Sequence, residues 1–204
     1  MNSQPGQSTD FLALRKTPYQ EHALIVTGVS PDQGRMSFFV RRPSSTSRRA
    51  YTHLDLFQLV HLDYRQSASE LCYANNIELV ADYCGVAVKQ DAYRAACWIS
   101  QFTLANLLPH IAMPQYFTAL RVAFIRLTGG RPCPQAVLTG LALTYLSEAG
   151  WLDLTRFSAT EAAQCALLLQ MAQGGDFPGL TQETWDALWE WTRGELARAE
   201  CLEV

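Results

Sequence analysis

Lysine is nearly missing from this chain of 204 residues: Lys16 and Lys89 are the only two. Neither stands in a Gly-x-x-x-x-Gly-Lys phosphate loop, and no Gly-x-Gly-x-x-Gly follows a strand pattern, so nothing points to triphosphate hydrolysis. Histidine is scarce too. His22, His53, His61 and His110 show no His-Glu-x-x-His spacing, and the six cysteines contain no Cys-x-x-Cys pair. No metal and no cofactor are therefore expected. The cysteines read as free, mostly buried thiols of a reducing cytosol. Glu21, Asp32, Asp55 and Asp63 are too scattered for a paired-carboxylate site. A serine-histidine-aspartate site drawn from distant positions leaves no local spacing to read, and each histidine is otherwise a hydrogen-bonded core or surface residue. The expectation is a protein without chemical turnover.

A membrane span is also lacking. Ala95 to Leu120 carries no charged residue, long enough to cross a bilayer, yet Pro109 and Pro114 interrupt it and Gln101, Asn106, His110 and Gln115 sit within it. Two buried helices joined by a turn fit better. Residues 1–10 are polar, with no basic start and no apolar run, so they read as a disordered lead-in rather than a signal peptide. A cytoplasmic protein with no membrane partner is expected.

What is present is a core. Hydrophobic residues make up 49% and charged ones 17%, which excludes a disordered chain. The formal charge of −3 hides a split. Residues 1–65 hold eight Lys/Arg against five Asp/Glu, a net of +3; residues 66–204 hold eight against fourteen, a net of −6. A basic front and an acidic back suggest two parts with different partners.

The pattern changes along the chain at the same place. Phe11 to Leu14, Leu24 to Thr27, Met36 to Val40, Leu54 to Tyr64 and Leu71 to Val80 read as five short strands, with a turn at Ser30-Pro31-Asp32-Gln33-Gly34. Five strands within seventy residues suit a small barrel over 11–80. From there the chain reads as helical, over 81–204: Gln90 to Leu108, Pro114 to Leu127, Pro132 to Ala149, a helix capped by Ser158 and Glu161, and a last one opened by Thr181. Trp185, Leu188, Trp189, Thr192 and Leu196 share one face of that last helix. Helical spacing makes them core; a stacking platform for bases is the other reading. Residues 161–204 hold eight acids against Arg193 and Arg198 alone, a solvated face or a contact for a basic protein.

One cluster has the chemistry of a binding site. Arg35, Arg41, Arg42, Arg48 and Arg49 lie between Gly34 and Arg49 with no acid among them. Arg41-Arg42-Pro43-Ser44-Ser45-Thr46-Ser47-Arg48-Arg49 sets an arginine pair at each end of a hydroxyl-rich loop. Guanidinium forks match phosphate oxygens bidentately, and hydroxyls add further phosphate hydrogen bonds. Phe38, Phe39 and Tyr51 stand close enough in sequence to stack on bases, although one of two adjacent phenylalanines must point into the core. A nucleic-acid loop and a merely solvated one both remain open on the residues alone.

The same residues carry a family resemblance. Leu12-Ala13-Leu14-Arg15, Tyr19-Gln20-Glu21, Leu24 to Val29, Gly34-Arg35 and Val40-Arg41-Arg42-Pro43 follow the order of segments in RecO, the bacterial recombination mediator. Tyr145-Leu146-Ser147-Glu148-Ala149-Gly150-Trp151 is similar to the Leu-Leu-x-x-Leu-Gly-Tyr end of a RecO helix, so the resemblance runs over nearly the whole chain. It implies an α+β protein: an N-terminal five-stranded OB-like barrel followed by an all-helical domain. It also implies binding of single- and double-stranded DNA, strand annealing, and assistance to RecA loading with RecR-like and SSB-like partners. Arg35, Arg41, Arg42, Arg48 and Arg49 are then the main DNA contacts, with Arg15, Lys16 and Arg65 secondary. Two features depart from the family. Asp153-Leu154-Thr155-Arg156 runs straight into Phe157-Ser158 where many members insert a four-cysteine zinc module. Thr139-Gly140-Leu141-Ala142 stands where many have Arg-Phe-Glu-Leu, so the arginine offered to an SSB tail is missing. The missing arginine and the acidic total favour the alternative, a protein-interaction adaptor of the same fold with little or no DNA binding.

Overall fold

The computed structural model describes residues 7–19, 21, 23–41, 54–66, 71–130 and 133–202. Five strands come first: β1 Gln7–Tyr19, β2 Ala23–Ser30, β3 Gly34–Arg41, β4 Gln58–Gln66 and β5 Leu71–Asp82. They close into a barrel in the order β1-β2-β3-β5-β4, with β3–β5 the parallel pair and the other ladders antiparallel. This is the OB-type barrel that the sequence leads one to expect.

The twofold period of the strands explains what fills it. Phe11, Ala13, Val26, Met36, Phe38, Val60, Leu62, Tyr64 and Cys72 turn inward as one core. Phe38 meets Phe11 edge-on at 4.8 Å and Tyr64 at 5.5 Å, an arrangement that sets the positive edge of one ring on the negative face of another. Gly28 is where β1 crosses closest: a Cβ there would lie 2.0 Å from the Leu12 carbonyl oxygen.

Some boundaries differ from the sequence reading. Gln7–Asp10 are not lead-in but strand, paired with Tyr64 to His61 of β4. Backbone ladder bonds need no apolar side chain, and the polar ones here find partners. The Thr9 hydroxyl donates to Asp32 at 2.7 Å, and the His61 ring meets Asp10 at 2.9 Å. The barrel unit ends close to the expected boundary near residue 80 but is not one continuous stretch. Its ladder runs to Asp82, its compact unit to Cys84, and the unit takes back Leu107–Ala112 after the first helix. That segment lies along the start of β3. The Arg35 N–H donates to Leu108 O at 3.3 Å, and the His110 N–H donates to Gln33 O at 2.8 Å.

The second unit, Gly85–Asn106 with Met113–Val204, holds α1 Gln90–Asn106, α2 Pro114–Gly129, α3 Pro134–Glu148, α4 Ala159–Ala172 and α5 Gln182–Arg198. Thus Ala95 to Leu120 is the end of one helix and the start of another, as its prolines suggest. Among the described residues no helix is long and apolar enough to cross a membrane. Trp185 packs with Ala136, Leu143, Leu168 and Met171, and Trp189 sits edge-on to Trp98 at 5.0 Å. The tryptophan stripe is core. Thr139, Leu141 and Ala142 of α3 are buried as well.

Candidate nucleic-acid interface

Strand alternation places an unusual set of side chains on the outside of the barrel. Along β3, Met36 and Phe38 point in, so Arg35, Ser37, Phe39 and Arg41 point out. Residues directly opposite in a ladder share a face. Phe39 stands opposite Ile25, Ile25 opposite Thr17, Phe39 opposite Tyr73, and Tyr73 opposite Arg65. On one side of this row Arg41 pairs with Ala23 and Ala23 with Tyr19. On its other side Ser37 pairs with Thr27 and Thr27 with Arg15.

The rings form a strip across the face. Phe39 lies 6.1 Å from Tyr19 and 5.5 Å from Tyr73, centre to centre. Tyr19 is 42% exposed and Tyr73 48%, values high enough that each keeps ring surface for a base to cover. Arg15, Arg41 and Arg65 are exposed and Arg35 is half-buried, so cations stand around the aromatic strip. The Thr27 and Ser37 hydroxyls, 3.1 Å apart, add polar groups between them. Rings to stack on, with guanidinium groups along the path of a backbone, are what a single strand needs for binding without base readout.

The individual sequence candidates fare differently. Arg15, Arg35, Arg41 and Arg65 lie on the outside of the barrel, on β1, β3 and β4. Lys16 falls on the other side of β1 from Arg15 and pairs with Asp55 at 2.9 Å. Arg42, Arg48 and Arg49 lie outside the described residues, as do Tyr51, His22 and His53. Of the two phenylalanines, Phe38 is the core residue and Phe39 the outward one. Sequence reasoning missed Tyr19 and Tyr73. The signal was available for β3, where Arg35, Ser37, Phe39 and Arg41 alternate with apolar residues, but nothing local shows that two tyrosines from other strands join Phe39.

Elsewhere the described residues offer little chemistry. No three His, Cys, Asp or Glu side chains among them group as a metal site, and the six cysteines are free. Burial pushes the Cys72, Cys165 and Cys201 thiols up, away from the thiolate form.

A closed barrel of this strand order, with rings on β1, β3 and β5 and arginines on β1, β3 and β4 turned outward, defines an OB-fold protein. Residues 6–83 match the family model described as Recombination protein O N terminal. Over those residues the chain is similar to the recombination protein O family. No curated protein matches the chain.

Proposed function

We propose that this protein binds single- and double-stranded DNA on the outside of the barrel around β3, promotes annealing of complementary strands, and assists RecA loading with RecR-like and SSB-like partners. The observation that carries the reading is the side-chain order Arg35, Ser37, Phe39, Arg41 on one face of β3, joined by Tyr19 and Tyr73. The arginines neutralise phosphates of two strands and lower their mutual repulsion. Bases stacked on Phe39 and its neighbours present ring faces to the protein and leave their pairing edges free. No cofactor and no chemical turnover enter this scheme.

The adaptor reading keeps one supporting observation. The exposed acids Glu183, Asp186 and Glu190 on α5 repel phosphate and suit a basic protein surface. A gel shift with a single-stranded oligonucleotide at low salt separates the two. DNA binding that falls in Phe39→Ala and Tyr73→Ala, and that outcompetes RNA of the same sequence, supports the mediator; absence of any shift supports the adaptor.

A further inference from the structure

The outer face of α5 carries side chains that the fold of its own unit does not use. Glu183, Ala187, Glu190, Trp191 and Gly194 recur three and four residues apart, so they share one stripe of the helix, and all are exposed. Trp191 meets the Phe157 ring at 6.0 Å, yet 37% of the residue stays open. Asp186, one turn before Glu190, widens the acidic side of the stripe. Among the described residues Glu183 and Asp186 have no cationic partner, and Glu190 has Arg193 alone, at 3.4 Å.

Gly194 is the second observation. Glycine weakens the middle of a helix and is useful there where another surface must come close. A Cβ at Gly194 would meet nothing within 4 Å, so no packed neighbour requires the glycine. With Ala187 two turns back, it leaves a flat strip beside Trp191 that a second surface can approach.

The barrel offers the complementary surface. Tyr19, Phe39 and Tyr73 form the ring strip, Arg41 follows Phe39 by two residues on β3, and Arg65 stands opposite Tyr73. Arg41 and Arg65 are exposed and have no acidic partner among the described residues. Both surfaces thus combine rings with charge, and the charges are of opposite sign. Tryptophan, tyrosine and arginine are the usual anchors of a protein contact, and an indole attracts a guanidinium over its face.

We infer that the α5 stripe of one copy docks on the Tyr19–Phe39–Tyr73 strip of a second copy, with Trp191 on the rings and Glu183, Asp186 and Glu190 against Arg41 and Arg65. The two faces are different surfaces of one chain. The contact is therefore heterologous, and it repeats into a string of copies instead of closing as a twofold dimer. The docking rests on these two faces alone. Its consequence for DNA rests on the DNA-binding reading: a strand and a second copy compete for the same rings and arginines, so strand binding releases copies from the string.

The test is sedimentation velocity of the full chain over about a hundredfold range of concentration, at about 0.05 M and about 0.3 M salt. At low salt the sedimentation coefficient should climb with concentration, and at high salt the climb should shrink. Glu183→Lys, Asp186→Lys and Glu190→Lys together, or Arg41→Glu with Arg65→Glu, should each weaken association about tenfold or more, because like charges then face each other. Mixed in equal amounts, the two reversed proteins should associate again, which a misfolded variant would not do. Gly194→Gln favours the helix, so it should weaken association without lowering Tm. A wild-type chain that keeps one size at low salt overturns the inference. So does association that survives both reversals, or a mixture of the two folded variants that stays monomeric. A single-stranded oligonucleotide should turn the wild-type strings into smaller, DNA-bound species; strings that persist with DNA bound overturn the shared face. If the oligonucleotide does not bind at all, the proposed function fails, while the concentration and mixing results still decide the docking.

Discussion

Phe38 and Phe39 are neighbours in sequence with opposite duties, and that difference is measurable. Phe39→Ala and Tyr73→Ala should each weaken single-stranded DNA binding by about 1–3 kcal/mol, the range for loss of one stacked base, read by fluorescence anisotropy. Phe38→Ala should instead lower stability by about 3–5 kcal/mol in urea unfolding, because it empties the middle of the barrel core. A second residue-scale expectation concerns His61. Its hydrogen bond to Asp10 raises its pKa above the ordinary 6.5. A raised folded value means that the pair stabilises the fold fully below pH about 6.5 and that this contribution is lost as pH rises through the folded pKa. His61→Gln should therefore narrow the stability difference between acid and alkaline pH, and identical pH profiles for the two proteins would contradict it. At this scale the outward placement of Arg35 and Arg41 follows from the alternation of β3, while Arg42, Arg48 and Arg49 lie outside the described residues. The Lys16 pairing was not legible, because its partner Asp55 lies 39 residues away and only the folded barrel brings the two together.

Strands and helices were legible to different degrees, for different reasons. The helices announce their ends. Ser158 and Glu161 form the expected capping box: the Ser158 N–H donates to Glu161 Oε2 at 2.8 Å and the Glu161 N–H donates to Ser158 Oγ at 3.3 Å. Ser158→Ala should cost about 1 kcal/mol, seen as a lower Tm. The same hydrogen bonds hold the Glu161 carboxyl below its ordinary value, so its contribution is present above pH about 4.5 and disappears as pH falls through the folded pKa. Strand ends carry no such marks. Leu54 to Phe57 look as apolar as the strand that follows, but Phe57 adopts φ 63° and turns the chain, so the β4 ladder starts at Gln58. β1 begins earlier than its apolar run because pairing with β4 is made by backbone groups, which composition does not report.

For the molecule as a whole, the acidic sum misleads and the distribution informs. Arg15, Arg35, Arg41 and Arg65 all stand on the outside of the barrel, while the net charge of −6 belongs to residues 66–204. Replacing those four arginines with Ala should flatten the salt dependence of single-strand binding by roughly 2–3 in the slope of log K against log[salt], at about 0.7 per phosphate contact. Arg193→Ala with Arg198→Ala should leave it unchanged, since those side chains already face Glu190 and Glu195. The returning segment Leu107–Ala112 has a consequence for synthesis. A ribosome makes the chain in order, so the last piece of the barrel emerges only after α1 has been added. At about 5–20 residues per second, the stretch from residue 84 to residue 112 takes roughly one to six seconds. During that interval the edge at Gly34 and Arg35 awaits its partner, and a protease sampling nascent chains should find the barrel most vulnerable there.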